Sequence, residues 1–329
     1  MNFYADSSYI HAKIYALHSL LLTRKDYYEM ARSGNFNAVA AGLNAGNIKN
    51  DYTELKESLF DSQIKLVVSL AEASVSYSRV FILFLRYFEM LNLKTLYAKA
   101  FGRMPSPMVW YNTGEFAVLD REMLSENTDV AALFKYTTNT WMRDILTVDS
   151  AGTFEEVEFL IDRAALRLAA EFPNSMSFSR GADSMKIVSG LAAYFRLAWS
   201  WRLQHIYAWD EGSTMRYIES NVYIPRAFGF AMRSSVEEWE RFLLMQVKNN
   251  YVDVVAGGGA GILSAEKVME RVLLRDFSRT FHENFHSINT VICYLALLYR
   301  QIRNLFTIID GLRFGLEPDM IMDDIICEG

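Results

Sequence analysis

The segment Arg86-Tyr-Phe-Glu-Met-Leu-Asn-Leu-Lys-Thr-Leu-Tyr-Ala-Lys-Ala-Phe-Gly102 has the apolar spacing of a helix and ends at a glycine. Two similar segments follow, RLAWSWRLQHIYAWDEG over residues 196–212 and LYRQIRNLFTIIDGLRFG over residues 298–315. Their first residues lie 110 and then 102 positions apart along the chain. Because that spacing is the size of a domain, the sequence predicts three similar helical domains rather than a series of short repeats.

The three segments align when Asn92 is placed over Arg202 and Asn304. The positions one and four residues later are then apolar in every copy: Leu93 and Leu96, Leu203 and Ile206, Leu305 and Ile308. Tyr87, Leu197 and Tyr299 coincide five positions earlier. Since these positions share one side of a helix, we expect each copy to bury the same stripe within its own unit. Gly102, Gly212 and Gly315 are the expected helix ends.

A further helical pattern precedes each copy, over residues 54–73, 154–171 and 265–281. The prolines at 105 and 107 follow the first helix-ending glycine and indicate a boundary there. The sequence therefore predicts an all-α protein with helical domains at residues 1–107, 108–215 and 216–329.

Composition narrows the classes of function. The net charge is −6 and no basic block is present, which argues against nucleic acid as a partner. Asp6, His11 and Lys13 interrupt the amino-terminal segment, so no signal peptide is expected, and no apolar run is long enough to span a bilayer. Cys293 and Cys327 cannot form a disulfide framework and fit a reducing compartment.

One short motif suggests an enzyme. His282-Glu-Asn-Phe-His286 matches the H-E-x-x-H pattern, which on a helix places two imidazoles on one face with a glutamate to activate water. A zinc peptidase also needs a third protein ligand and a cleft, and neither follows in the sequence. We therefore expect an ordinary helix here, with no third ligand within reach, and keep zinc peptidase as an alternative.

Other catalytic patterns are missing from the sequence. The glycines at 257–261 lack the Lys-Ser/Thr of a P-loop and do not fit G-x-G-x-x-G, so they are interpreted as a linker. No Ser/His/Asp or Cys/His arrangement suggests itself, and Cys293 lies in an apolar run. The sequence predicts no catalytic residue, no cofactor and no metal.

Three segments together resemble one known family. The opening Tyr9-Ile-His-Ala-Lys-Ile-Tyr-Ala-Leu17, the run Phe84-Leu-Arg-Tyr-Phe-Glu-Met-Leu-Asn-Leu-Lys-Thr-Leu96 and the closing residues 299–316 are similar to the C-type stalk subunit of the V/A-type ATPases. That protein is equivalent to the d-type subunit of the vacuolar enzymes. The closing segment departs from the family pattern at Gln301, near its acid, and at Phe306, where a basic residue is usual.

The resemblance implies a funnel of three similar domains about a pseudo-threefold axis. Such a protein performs no catalysis. It sits on the membrane proteolipid ring, holds the central shaft of D- and F-type subunits, and transmits torque between ATP turnover and ion transport. It would be cytoplasmic and peripheral to the membrane.

A shaft-facing wall needs polar groups on otherwise apolar helices. The candidates for partner binding are the cations of the repeated segments, namely Arg86, Lys94, Lys99, Arg202, Arg303 and Arg313. An ordinary solvated helix face is the alternative interpretation of these residues. A helical scaffold with another partner remains the third possible function.

Overall fold

The fold is helical throughout the part of the chain that the computed structural model describes, and no β-strand occurs there. The described residues are 3–34, 51–103, 108–124, 129–137, 140–144, 153–171, 182–221, 238, 241–245, 260–283 and 287–327. Their helices, in chain order, are α1 (Phe3–His18), α2 (Arg24–Ser33), α3 (Tyr52–Ala73), α4 (Ser78–Ala100), α5 (Val130–Thr137), α6 (Phe154–Glu171), α7 (Ala182–His205), α8 (Glu211–Asn221), α9 (Ala260–Glu283), α10 (Ile288–Arg313) and α11 (Pro318–Asp324). Short 3₁₀ turns lie at Gly114–Phe116, Arg121–Leu124 and Trp141–Asp144. The predicted all-α class is confirmed.

Three pairs of long helices form the frame, α3 with α4, α6 with α7, and α9 with α10. The first member of each pair coincides with a helix predicted from the sequence, and the second contains a copy of the repeated segment. We call α3, α6 and α9 the outer helices and α4, α7 and α10 the inner helices. The short connection after α3 is fixed by Asp6, whose carboxylate accepts hydrogen bonds from the Ser76 backbone N–H at 2.8 Å and the Ser74 hydroxyl at 3.1 Å.

Each pair packs against the next, and the order of contacts closes into a ring. The inner helix α4 packs on α6, α7 packs on α9, and α10 returns to pack on α3. The first long helix of the chain, α3, is therefore the neighbour of the last long helix, α10. Helix α10 also packs against α7 and touches α4, so the inner helices meet one another inside the ring.

Neighbouring helices in the ring are antiparallel. The Phe101 ring, after the end of α4, lies 5.7 Å from the ring of Phe154, which begins α6. Arg202 near the end of α7 bonds Glu266 near the start of α9, and Lys56 near the start of α3 bonds Asp310 near the end of α10. Consequently the three inner helices run in the same direction and end at one rim, which we call the C-terminal rim.

The first and third inner helices end in the same way. Gly102 and Gly315 both adopt φ of 65°, the left-handed conformation that glycine enters without strain. The following backbone N–H groups reach back to the helix: Arg103 to the carbonyl of Ala98 and Leu316 to that of Gly311, each at 2.9 Å. This is the hydrogen-bond pattern of a Schellman cap. The predicted glycine ends are thus confirmed for these two helices.

The second inner helix ends earlier than the sequence predicted. Helix α7 stops at His205, and Gly212 lies in the first turn of α8 instead. The left-handed position is taken by Ala208, with φ of 57°, and the Trp209 N–H closes the end on the carbonyl of Leu203 at 2.8 Å. Ile206 therefore lies beyond the helix and is 60% exposed, so its predicted burial is wrong.

The other stripe residues are buried, and in the first and third copies the packing is shared between pairs. Leu93 and Leu96 are at most 2% exposed and belong to a cluster with Val157 and Ile161 of α6. The stripe of α10 lies in the largest cluster, which unites residues of α1, α2, α3, α4, α10 and α11. The expectation that each stripe is buried inside its own unit is therefore wrong for the first and third copies, because their inner helices lie between two outer helices. Leu203 of the second copy packs with Phe159 and Trp199 of its own helix pair, as expected.

Candidate functional site

Charged side chains gather where the inner helices approach the C-terminal rim. The Asp162 carboxylate of α6 lies 3.1 Å from the Lys94 ammonium of α4 and 3.5 Å from the Arg202 guanidinium of α7. A single acid thus links two inner helices through an outer one. Lys94 and Arg202 lie two positions apart in the alignment of the repeated segment, and they share this acid because α6 packs between α4 and α7.

Glu158 lies one helical turn before Asp162 and completes the pairing of Lys94. Its carboxylate is 2.7 Å from the Lys94 ammonium and accepts a hydrogen bond of 2.5 Å from the Tyr207 hydroxyl. Burial alone would lower the pKa of Lys94, but Asp162 and Glu158 raise it above its usual range. Burial alone would raise the pKa of Glu158, but Lys94, the Tyr207 hydroxyl and Arg202 lower it. Both groups are therefore charged at neutral pH.

Helix α9 supplies the acids of the next junction. Glu266 accepts a hydrogen bond of 3.0 Å from the Arg202 Nε. One turn later, Glu270 accepts hydrogen bonds from the Tyr194 hydroxyl of α7 at 3.1 Å and from Arg300 of α10 at 2.6 Å. Burial alone would lower the pKa of Arg202, but Glu266 and Asp162 raise it. The outer helices α6 and α9 thus present acids in pairs one turn apart toward the cations of the inner helices.

The third junction has the opposite polarity. Here the outer helix α3 supplies the cation, and Lys56 bonds Asp310 of α10 at 2.5 Å. The same two helices are joined by the Gln301 amide, which donates to Gln63 at 2.6 Å, while its oxygen accepts from the Leu22 N–H at 2.7 Å. Each of the three junctions between helix pairs therefore contains an ion pair between an inner and an outer helix.

Two tyrosines meet inside the ring. The hydroxyl of Tyr87 on α4 donates to that of Tyr299 on α10 at 3.1 Å, with the rings edge to face. Burial raises the pKa of Tyr87, and the Tyr299 phenol and the Asp162 charge raise it further, while Arg303 opposes them. Arg303 lies one helical turn after Tyr299 on α10, and Lys94 lies two turns after Tyr87 on α4, so both cations are on the helix faces that the tyrosine pair brings together. Asp162 joins Lys94 to Arg202 of α7. We call Lys94, Arg202 and Arg303, one cation from each inner helix, the axial cluster.

The remaining predicted cations lie elsewhere. The Arg86 guanidinium lies over the Trp141 ring, 4.9 Å from its centroid. Lys99 is half-buried in the last turn of α4. Arg313 is exposed at the C-terminal rim and lies over the Tyr52 ring at 5.4 Å. Of the six cations, the structure brings three together.

Buried amides tie the inner helices to the segments that follow them. Asn92 pairs with the backbone of Tyr111, donating to its carbonyl at 2.8 Å and accepting from its N–H at 2.9 Å. Asn304 pairs in the same way with Ile326, at 2.8 and 3.2 Å. The aligned positions thus perform the same task in two copies.

His282 and Glu283 of the H-E-x-x-H sequence lie at the described end of α9, and α10 begins at Ile288 with Ser287 as its N-cap. The predicted place of His286 on the same helix as His282 lies outside the described residues. The His282 imidazole is 5.3 Å from that of His18, ring centre to ring centre. Within the described ranges no three histidines, cysteines or acids are placed to share a metal ion.

Two further findings bear on the site. Across the described part of the chain, every helix is too short or too polar to traverse a bilayer. Cys293 and Cys327 form no disulfide within the described residues, and burial raises the pKa of Cys293.

The acids of the site were missed by sequence reasoning, which assigned no role to Glu158, Asp162, Glu266 or Glu270. Their spacing held a usable signal, because in both α6 and α9 the two acids are four residues apart and so share one helix face. The spacing could not show that this face packs against the neighbouring helix pair.

Comparison with known proteins agrees with the architecture. The family model described as ATP synthase (C/AC39) subunit matches residues 10–324, nearly the whole chain. A search of curated proteins returned no match.

Proposed function

This chain belongs to the ATP synthase (C/AC39) subunit family, and from that premise we propose that it is the central-stalk socket of a V/A-type ATPase. In this role the ring of helices joins the central shaft to the membrane proteolipid ring and transmits torque between ATP turnover and ion transport. The observation that carries the proposal is the closed ring of three helix pairs, in which each inner helix carries one cation of the axial cluster. The resemblance expected from the sequence is confirmed at the level of the family.

The construction of the ring suits the transmission of torque. A socket must resist twisting about its axis, and closely packed helices deform little because their side chains interlock. Every junction of the ring combines buried apolar side chains with an ion pair, and the junction between α10 and α3 closes it without a covalent link. A twist applied at one pair is therefore passed to both neighbours.

We also propose that the three helix pairs are equivalent units about a pseudo-threefold axis, corresponding to residues 1–107, 108–215 and 216–329. Support comes from the repeated order of contacts, in which an inner helix packs on the next outer helix three times. The matched glycine caps at Gly102 and Gly315, and the matched amide pairing of Asn92 and Asn304, support equivalence of the first and third units.

The proposed partners are the D- and F-type shaft subunits at the axial cluster and the proteolipid ring at the membrane. The protein would be non-catalytic and would lie in the cytoplasm, peripheral to the membrane. Among the six candidate cations we rank the exposed Arg303 and Arg313 first for partner contact, because Lys94 and Arg202 are engaged by internal acids. The comparisons offer no support for a metallopeptidase.

The proposal is tested by isolating an affinity-tagged chain from native membranes in mild detergent. We expect the shaft subunits and the proteolipid ring to co-purify with it, together with ATPase activity of the complex. A tagged chain that is folded but brings down neither component would refute the role and leave a scaffold of another kind.

A further inference from the structure

The cations along the inner wall of the ring differ in whether they form an ion pair with a carboxylate. Lys94 is paired with Glu158 and Asp162, and Arg300 is paired with Glu270. Among the described residues no carboxylate oxygen lies within 4.0 Å of the Arg303 guanidinium. Within the described ranges, the Arg303 guanidinium is thus not held by an acid of the chain, which makes it the candidate for contact with another molecule.

Arg303 is also accessible from outside. Its side chain is exposed, although its neighbours on α10, Ile302 and Asn304, are buried. Tyr299 raises the pKa of Arg303, burial lowers it, and Tyr111, Tyr87 and the more distant Glu270 raise it again. Arg303 lies one helical turn after Tyr299, whose hydroxyl meets that of Tyr87 on α4, so the exposed guanidinium is on the side of α10 that faces the inside of the ring. A group that enters the ring can therefore reach it.

The surroundings of Arg303 favour one class of ligand. A guanidinium offers paired N–H donors that match the two oxygens of a carboxylate. The acids Asp162 and Glu270 of this wall are neutralised by their own cations, so Arg303 offers one positive charge, which a single carboxylate matches. The nearby Tyr87 and Tyr299 hydroxyls are hydrogen-bonding groups for the remaining lone pairs of an entering carboxylate.

We infer that Arg303 binds a carboxylate of the segment that enters the ring, and that the tip of the shaft is therefore acidic where it meets α10. This inference rests on the proposed function and deepens it by assigning one contact. The paired cations Lys94 and Arg202 hold the surrounding helices in place, whereas Arg303 forms the bond to the partner. Since the contact is ionic and reached from solvent, it should make the binding of the shaft sensitive to salt.

The test measures binding of the purified full chain to the purified shaft subunits of the same ATPase, at low and at high salt. We expect Arg303→Gln to weaken binding at low salt about 10-fold or more and to reduce its salt dependence. Arg303→Lys keeps the charge but loses the paired donors, so its affinity should fall between those of the wild type and Arg303→Gln. Arg271→Gln, which removes an exposed arginine from α9, is the matched control and should bind like the wild type.

Two outcomes distinguish a failure of this inference from a failure of the proposed function. If the wild-type chain binds the shaft and Arg303→Gln binds equally well with the same salt dependence, the assignment of Arg303 is overturned and the socket role stands. If the wild-type chain does not bind the shaft at all, the proposed function fails and the inference fails with it. Thermal unfolding of each variant establishes that the binding data refer to folded protein.

Discussion

The hydroxyls of Tyr87 and Tyr299 lie 3.1 Å apart, and the two residues occupy the same position in the first and third copies of the repeated segment. This contact shows that α4 and α10 face each other inside the ring. Leu197 occupies the corresponding position of the second copy, where no hydroxyl is present.

The tyrosine pair predicts a measurable coupling between the two inner helices. Tyr87→Phe and Tyr299→Phe should each lower the free energy of unfolding by about 0.5–1.5 kcal/mol, since each removes one partner of the hydrogen bond. The double variant should lose less than the sum, because the second change removes a hydroxyl that is already unpaired. Denaturant titration of the four proteins checks this, and strict additivity would show that the hydroxyls do not interact.

Asn92 and Asn304 should prove equally important to the fold. Replacement of either by alanine leaves a backbone N–H and a carbonyl without their partners, which should cost about 1–3 kcal/mol in free energy of unfolding. The matched control is Asn112→Ala, because Asn112 is exposed and water can replace its side chain at the Gly114 N–H. Equal stability of the Asn92 and Asn112 variants would contradict the structural role of the buried amides.

The left-handed residues at the ends of α7 and α10 predict stability changes of different sizes. Gly315→Ala forces a Cβ into the left-handed region, so it should destabilise by about 1–2 kcal/mol even though no neighbouring atom would crowd that Cβ. Ala208→Gly relieves the same strain, offset by the flexibility that glycine adds to the unfolded chain, and should be neutral or mildly stabilising. Thermal unfolding compares the two. A stabilising Gly315→Ala would mean that α10 does not end in this way.

How much of this fold was predictable can be judged from the three inner helices. The all-α class, the outer helices and the caps at Gly102 and Gly315 follow from local signals, namely apolar period and glycine after a periodic run. The end of α7 does not follow from such a signal, because its left-handed position is occupied by Ala208 and alanine is not typical of a helix end. The sequence instead predicts the end at Gly212, four residues later, and the predicted burial of Ile206 is wrong for the same reason.

The site was less predictable because its partners are far apart in sequence. Lys94 and Arg202 could be named as inward cations from the repeat, but they reach Asp162 from 68 and 40 residues away. The difference between these paired cations and Arg303 depends on which outer helix lies opposite each one. Hydrophobic periodicity predicts which face of a helix is polar, but it does not predict which residues of other helices contact that face.

The ion pairs predict how stability depends on pH. Because the folded state lowers the pKa of Glu158 from 4.5, the unfolded chain takes up its proton first as the solution is acidified. The contribution of Glu158 is thus present above about pH 4.5 and is lost as the pH falls through the lower folded-state value. Lys94→Met removes the main charge that lowers this pKa, so the unfolding free energy of the variant, measured by denaturant titration at several pH values, should fall less steeply in that window.

Lys94→Met also tests how much the ion pairs of Lys94 contribute to the free energy of unfolding. It leaves Glu158 and Asp162 without their cation, which should cost about 3–5 kcal/mol at neutral pH. The control is Lys25→Met, since Lys25 and Glu29 form a pair of exposed side chains and their loss should change stability by less than about 1 kcal/mol. Similar effects from the two replacements would place Lys94 on an ordinary solvated face.

The most direct test of the socket is to ask what lies inside the ring of an assembled ATPase. A photo-crosslinking residue placed at Thr307, one turn after Arg303 on α10, should capture a shaft subunit in a complex reassembled from purified components. The same residue placed at Lys65, exposed on the outer helix α3, should not capture the shaft. If position 65 captures the shaft and position 307 does not, the shaft contacts the outside of the ring and the socket role is contradicted.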